Sequence, residues 1–366
     1  MSTAAHLPMP ETLVLGASGF LGAHAVNAMV NLGGRPRRGY HRRPRHLSGA
    51  RISASEPAHG SINEPRDVRA DLDDSAALVQ AMDGVDVVIH AAGHYPAVSL
   101  DPEGTLTLGL RQMRSVLDAA ATAGVRRLLY VSSTATTRAR PDRPSDERDV
   151  WTSRPGIGVY HDLKWAMEAM AEAEDRLEVV TVCPAACLGV GDARVGTCAI
   201  VVALARGLAV PHADGVVSIV DAADVGAALA RLVLHPAPPR RLLLSGGSYP
   251  FHPLMERLAV RYGVAPPPAP LEAAIAQALA LEEEHRATSE GRRPALSREL
   301  VDLVVHGARL DTSLAERVLP MPWSTLEQTL DRFDGWARRL GLVPRAPPPH
   351  PRPSPSLPSP STEPSP

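Results

Sequence analysis

Tyr160-His-Asp-Leu-Lys164 places a phenol and an ammonium four residues apart. On a helix that spacing sets both side chains on one face. A free tyrosine, with a pKa of about 10, exchanges protons poorly at neutral pH; a cation beside it favours the phenolate and lowers that value. A tyrosine tuned in this way can donate a proton to a carbonyl oxygen as hydride arrives, or remove one in the reverse direction. The lysine can also hold a cofactor ribose. Lys164 is the single lysine among 38 Lys and Arg residues, and it falls four residues after one of only six tyrosines. That coincidence favours the chemical pair over its bland alternative, two exposed neighbours on a helix.

A second hydroxyl source is Ser132-Ser133, which closes an apolar run, Arg127 to Val131, read as a strand. A serine at the carboxyl end of such a strand can orient a substrate oxygen; capping the strand end is its structural alternative. Gly16-Ala-Ser18-Gly19-Phe20-Leu21-Gly22 lies between an apolar strand, Thr12 to Leu15, and a helix predicted over Phe20 to Leu32. The first two glycines allow a sharp turn and close approach to a pyrophosphate, and the third allows the helix to pack on the strand. An anion would then sit on free N–H groups at the helix start. The next strand should end within Arg35 to Arg45, where an acid would favour NAD and an arginine NADP. That stretch holds no acid and several arginines, so Arg42 and Arg43 point to NADP as the preferred cofactor, with NAD as the alternative. Asp71-Leu72 after the third strand is placed to meet the adenine. His90-Ala91-Ala92-Gly93 ends the fourth strand with small residues that leave room for a ribose.

These groups need a scaffold, and the chain has one. Its 366 residues, 44% hydrophobic and 21% charged, exclude whole-chain disorder, collagen and coiled coil. No apolar run approaches the ~20 residues of a membrane span, and Met1 to Glu11 shows no signal-peptide pattern. Three cysteines (Cys183, Cys187, Cys198) cannot make a disulfide framework, so a reduced, cytoplasmic protein is expected. They have no well-spaced histidine apart from the distant His212, and buried thiols are expected rather than a metal site. A net charge of −2 and little aromatic interleaving around Arg42 argue against a nucleic-acid partner.

Short apolar runs alternate with helical patterns over residues 11–245: helices at Ser75 to Met82, Leu106 to Ala123 and Val159 to Asp175, strands at Val85 to His90 and Glu178 to Val182. That alternation predicts an α/β fold, a doubly wound parallel sheet of Rossmann type. Beyond Ser245 the strand signal fades. Residues 246–342 read as a smaller, mostly helical substrate lobe, with helices at Leu271 to Glu284 and Leu326 to Leu340, and residues 185–215 contribute to it. Residues 343–366 form a proline-rich tail expected to be disordered, since Pro344 to Pro366 hold eleven prolines.

GASGFLG, ADLDD, HAAG, VSSTA, YHDLK, CPAACLGVGD and VDAADVG occur in an order that resembles the extended short-chain dehydrogenases/reductases, the NAD-dependent epimerase/dehydratase family. The likeness spans about Thr12 to Leu342. It is greatest to the dihydroflavonol-reductase-like and hopanoid-associated groups, through the basic second-strand end, HAAGHYP and CLGVGD. It implies Ser133, Tyr160 and Lys164 as the catalytic trio. It also implies Gly16, Gly19, Phe20, Leu21, Gly22, Asp71, Ala91 to Gly93 and Pro184 as cofactor contacts. A homodimer through the helices near Leu106 and Val159 is a further implication, a monomer staying open. The chain departs from the family where Gly109 replaces the usual Asn and Gln112-Met113 the usual Gly-Thr, so neither the family's local helix packing nor a proton relay through that Asn carries over to this helix. Arg37 and Arg38 lie inside the second strand, which predicts a short or irregular one. The Arg-Tyr-Phe-Asn element of UDP-sugar epimerases has no counterpart.

The leading expectation is therefore a reductase or dehydrogenase passing hydride between NADPH and a ketone, aldehyde or secondary alcohol. The alternatives are an NAD-dependent nucleotide-sugar epimerase/dehydratase and a non-catalytic NADP-binding sensor. The substrate is a small molecule; His94, Tyr95 and Trp151 are candidates to line its pocket, an exposed loop being an equal reading for each.

Overall fold

The computed structural model describes residues 9–41, 65–93, 101–192, 196–292 and 294–344. Strand and helix alternate through β1 (Thr12–Leu15), α1 (Phe20–Asn31), β2 (Arg37–Tyr40), β3 (Arg66–Arg69), α2 (Ser75–Met82), β4 (Val87–His90), α3 (Pro102–Thr122), β5 (Arg127–Val131), α4 (Val159–Glu172) and β6 (Glu178–Pro184). There follow β7 (Ala186–Leu188), α5 (Ala199–Ala205), β8 (Val216–Asp221), α6 (Ala222–Leu234), β9 (Arg241–Leu244) and β10 (Gly247–Pro250). Five helices complete the described chain: α7 (Phe251–Tyr262), α8 (Ala273–Ser289), α9 (Arg298–Val305), α10 (Ser313–Val318) and α11 (Leu326–Arg339). None of the described helices is long and apolar enough to cross a membrane.

Seven strands form one parallel sheet in the order β3-β2-β1-β4-β5-β6-β9. The central strands β1, β4 and β5 are buried at every position and mostly apolar because both faces are covered. In β1, Leu13 and Leu15 join Leu78, Met113, Leu117 and Met167 of α2, α3 and α4 on one face. Val14 joins Ala25, Met29, Val225 and Leu229 of α1 and α6 on the other. Each such Leu or Met, fully removed from water, contributes about 1.5–3 kcal/mol. β2 has no such face to fill. Its arginines bond outward, Arg37 Nη1 donating to Asp83 O at 2.7 Å and Arg38 Nε to Asp67 Oδ1 at 2.7 Å, and the strand is four residues long.

The sequence places no strand beyond Ser245, and here the structure differs. β10 pairs antiparallel with β8, which pairs with β7, making a separate three-stranded sheet. Four residues containing Gly, Ser and Pro carry no readable period; their pairing is supplied by β8, where the Ser218 and Ser248 hydroxyls meet at 2.7 Å. Behind this sheet α5, α7 and α11 share a core that includes Cys198, Phe251, Met255, Phe333 and Trp336. α3 also begins earlier than predicted, at Pro102, because Asp101 accepts the Gly104 N–H at 2.9 Å and Pro102 is preset for a first turn.

Arg127 ties the sheet to α6. Its buried guanidinium grips both Glu178 carboxylate oxygens, at 2.6 and 3.1 Å, and donates to the carbonyls of Leu232, His235 and Pro236. Arg127→Met keeps the bulk but orphans carbonyls at the end of α6. It is expected to cost about 2 kcal/mol, read as a lower midpoint in thermal unfolding with NADPH affinity unchanged. An unaltered midpoint would remove Arg127 from the stabilising contacts.

Candidate active site

The strand order turns back between β1 and β4, and a cleft of about 800 Å³ opens at this carboxyl edge of the sheet. Gly16 turns the chain at φ +81°, where a Cβ would stand 2.8 Å from Ala91 O. The turn feeds α1, whose N-cap Gly19 offers no side-chain hydrogen bond and whose first turn holds no acid. Its first N–H groups are therefore left for an anion. The cradle fits a dinucleotide pyrophosphate, because any side chain at Gly16 would fill the space between turn and strand.

Gly16, Ser18, Gly19, Phe20, Leu21, Asp71, Leu72, Ala91, Ala92, Gly93, Ser133, Tyr160, Lys164 and Pro184 all line this cleft. Gly22 does not. It lies beneath the turn, where a Cβ would approach Gly16 O to 2.1 Å, so it shapes the loop. Arg42, Arg43, His94 and Tyr95 lie outside the described residues. Trp151 is not among the lining residues; its carbonyl accepts from Trp165 Nε1 at 2.9 Å, fastening the preceding segment to α4.

Asp71 lines the cleft just past β3. Burial pushes its pKa up, but the Asp73 N–H, at 3.1 Å, and the His41 ring, at 2.8 Å, outweigh that and leave it below the ordinary carboxylate value. Gln112, which the sequence flagged only as a departure, lines the cleft and donates to Asp73 Oδ2 at 3.3 Å. Gly109 sits where α3 meets α4. A Cβ there would meet Leu163 Cδ1 at 2.6 Å, so its absence lets α3 and α4 pack closely.

Tyr160, Lys164 and Glu168 stand at i, i+4 and i+8 on α4, one helix face. Lys164 is buried, its Nζ donating to Val131 O at 3.2 Å and lying 5.9 Å from the Tyr160 ring centre and 5.4 Å from that of Tyr130. Nearby His90 is neutral: burial, with the Lys164 charge adding to it, lowers its pKa to about 3. Among the described residues Lys164 is the one lysine or arginine lining the cleft. The two serines divide their work. Ser132 Oγ donates to Glu168 Oε2 at 3.0 Å, and the same carboxylate takes Arg241 Nε at 2.5 Å. Ser133 lines the cleft, and among the described residues its Oγ accepts the Ala135 N–H at 3.2 Å and donates to no acceptor, which leaves its proton available to a ligand oxygen. Asp162 accepts from Arg154 Nε and the Gly156 N–H, at 2.7 and 2.8 Å, which pins the approach to the first turn of α4.

Further lining comes from the C-terminal elements, among it Val216 to Ser218 of β8, and Glu299, Leu303 and His306 of α9 and its end. None of the last three was singled out from sequence, although their i, i+4, i+7 spacing marks one helix face. The cysteines are buried thiols, and burial, foremost, pushes Cys183 and Cys187 up to about 12.

A family model described as the NAD dependent epimerase/dehydratase family matches residues 12–240. A putative dihydroflavonol 4-reductase of Synechocystis sp. is 27% identical, the match covering 90% of this chain and 95% of the relative. Sterol demethylase protein B of Methylococcus capsulatus is 26% identical, over 91% and 99%. Among solved structures, a nucleoside-diphosphate-sugar epimerase from Pseudomonas aeruginosa superposes with a TM-score of 0.71 at 27% identity, covering 93% of this chain and all of that one.

Proposed function

Because the chain belongs to the NAD dependent epimerase/dehydratase family, we propose that this NAD(P)-dependent enzyme is an NADP-linked oxidoreductase that interconverts a ketone or aldehyde and an alcohol. The observation that carries the reading is the meeting of Ser133, Tyr160 and Lys164 with the glycine turn in one cleft. Bound there, NADPH would supply the hydride. Tyr160 gives its proton to the carbonyl oxygen, and Ser133 hydrogen-bonds that oxygen and fixes its direction. Lys164 supplies the positive charge that favours the phenolate left behind. The Gly16–Leu21 turn holds the pyrophosphate, Asp71 and Leu72 the adenine end, and Pro184 with Ala91 to Gly93 flank the ribose-nicotinamide end.

The preference for NADP rests on the residues that follow β2. His41 lines the cleft, and the chain continues as Arg42-Arg43 without an acid. Fluorescence titration of the protein with NADPH and with NADH tests this. NADPH is expected to bind the tighter, and Arg42→Ala with Arg43→Ala to weaken NADPH by about tenfold while leaving NADH within about twofold. Equal loss for both nucleotides would remove the case for NADP. Tighter NADH, or NAD that co-purifies, would favour the second reading, a nucleotide-sugar epimerase/dehydratase, which the likeness to the Pseudomonas aeruginosa epimerase supports.

A further inference from the structure

One wall of the cleft belongs to α9. Glu299, Leu303 and His306 lie at i, i+4 and i+7, the spacing of a single helix face, and all three line the cavity. The wall is fixed on every side. Ser297 caps α9 by accepting the Leu300 N–H at 3.2 Å, and Arg298 Nε pairs with Glu284 of α8 at 2.8 Å. Asp302 accepts from Gln277 of α8 at 2.5 Å, and its other oxygen lies 2.6 Å from where a Cβ on Gly158 would stand. Gly158 is the N-cap of α4, so α9 abuts the turn that carries Tyr160. Past the helix, Gly307 packs so close to β8 that a Cβ would strike Val216 O.

Glu299 has no hydrogen-bond or ion-pair partner among the described residues. Its electrostatic neighbours come from three elements: Glu284 on α8, Asp302 on its own helix and Lys164 on α4. Burial, foremost, and the two carboxylates push its pKa up to about 8 against the pull of Lys164. His161 of α4 and His306 stand edge to face at 6.4 Å, and burial holds both below the ordinary histidine value, His161 at about 4. The side chains that α9 and its end turn to the cleft, Glu299, Leu303 and His306, are thus polar in part yet largely uncharged near pH 7.

We propose that Glu299 is a substrate-binding residue whose carboxyl O–H donates a hydrogen bond to an uncharged oxygen beside the reacting carbonyl, selecting neutral hydroxyketones over oxo acids. This deepens the oxidoreductase reading and rests on it for the reacting carbonyl. A hydroxyl gains a donor that is already half-buried. An anionic group in the same place must leave water beside a wall that carries no cation of its own, and Lys164, the one lysine or arginine of the cleft among the described residues, already donates to Val131 O. Above about pH 8 the sign reverses: Glu299 loses its proton, and with it the donor.

The test uses the full chain saturated with NADPH and two ring probes, 2-hydroxycyclohexanone and 2-oxocyclohexanecarboxylate. Glu299→Ala is expected to raise KM for the hydroxyketone by about tenfold with kcat little changed, the worth of one neutral hydrogen bond. Glu299→Gln, which keeps a donor, restores most of that loss. Wild-type KM climbs above about pH 8 while that of Glu299→Gln stays level. Equal KM in all three proteins, or a wild-type preference for the oxo acid, would overturn the proposal. Infrared difference spectra decide it without turnover. The C=O stretch of a neutral carboxylic acid should be present in wild type near pH 7, shift when the hydroxyketone binds and vanish in Glu299→Gln. A band that is missing or unmoved overturns the role of Glu299. A band that shifts while neither probe is reduced supports that role and faults the oxidoreductase reading instead.

Discussion

Tyr160→Phe is expected to cut turnover by about 10²–10⁴-fold, the range that a positioned acid or base contributes. NADPH affinity is expected to stay within about twofold. The substitution removes one hydroxyl. The ring remains beside His161, 6.4 Å centre to centre, and 5.9 Å from Lys164 Nζ. Lys164 keeps its bond to Val131 O, and the glycine turn is untouched. Ser133 still orients the substrate oxygen, but no group at that place gives a proton to it. Steady-state NADPH oxidation, paired with a fluorescence titration, separates the two quantities. Activity near wild type would take the acid/base role away from Tyr160; loss of NADPH binding in parallel would make the side chain structural.

Gly22→Ala is expected to damage both stability and cofactor binding. In an exposed helix interior this substitution would gain about 1 kcal/mol from propensity. Here the new methyl would stand 2.1 Å from Gly16 O and 2.7 Å from Gly16 C. Backbone cannot rotate away as a side chain can, so α1 must lift off the turn. Overpacking of that kind costs about 1–3 kcal/mol, which outweighs the propensity gain. The N–H groups at the start of α1 move with the helix. NADPH affinity should fall at least tenfold, with a lower unfolding midpoint that added NADPH only partly restores. A variant that binds and unfolds like wild type would show that the turn has slack, contrary to its packing.

Gly22 also shows how legible the sequence is. Its role beneath the turn follows from strand, glycines and helix in succession, and the α/β sheet follows from apolar runs alternating with helical periods. The trio on α4 and β5 is legible because i, i+4 spacing and strand ends are local properties. β7, β8 and β10 were not, because they are short and polar in part and draw their pairing from one another. Glu299 was hidden for a related reason. Arg298-Glu299 within an eight-residue helix reads as a solvated face, and only the packing of α9 against Gly158 and Val216 turns it inward. Trp151, for which a pocket and an exposed loop are equal readings, is half-buried ahead of α4, its carbonyl held by Trp165.

The solitary lysine has a consequence for how the protein meets reactive chemistry. Every other basic side chain in the sequence is a guanidinium or an imidazole, and guanidinium does not lose its proton in proteins. Aldehydes, activated esters and acyl donors that seek amines therefore find, apart from the chain terminus, one target, and it is 3% exposed on the floor of the cleft. Acylation, glycation and amine-directed tethering cannot accumulate across the outer surface as they do on lysine-rich enzymes. A single covalent event would be concentrated where it silences the molecule.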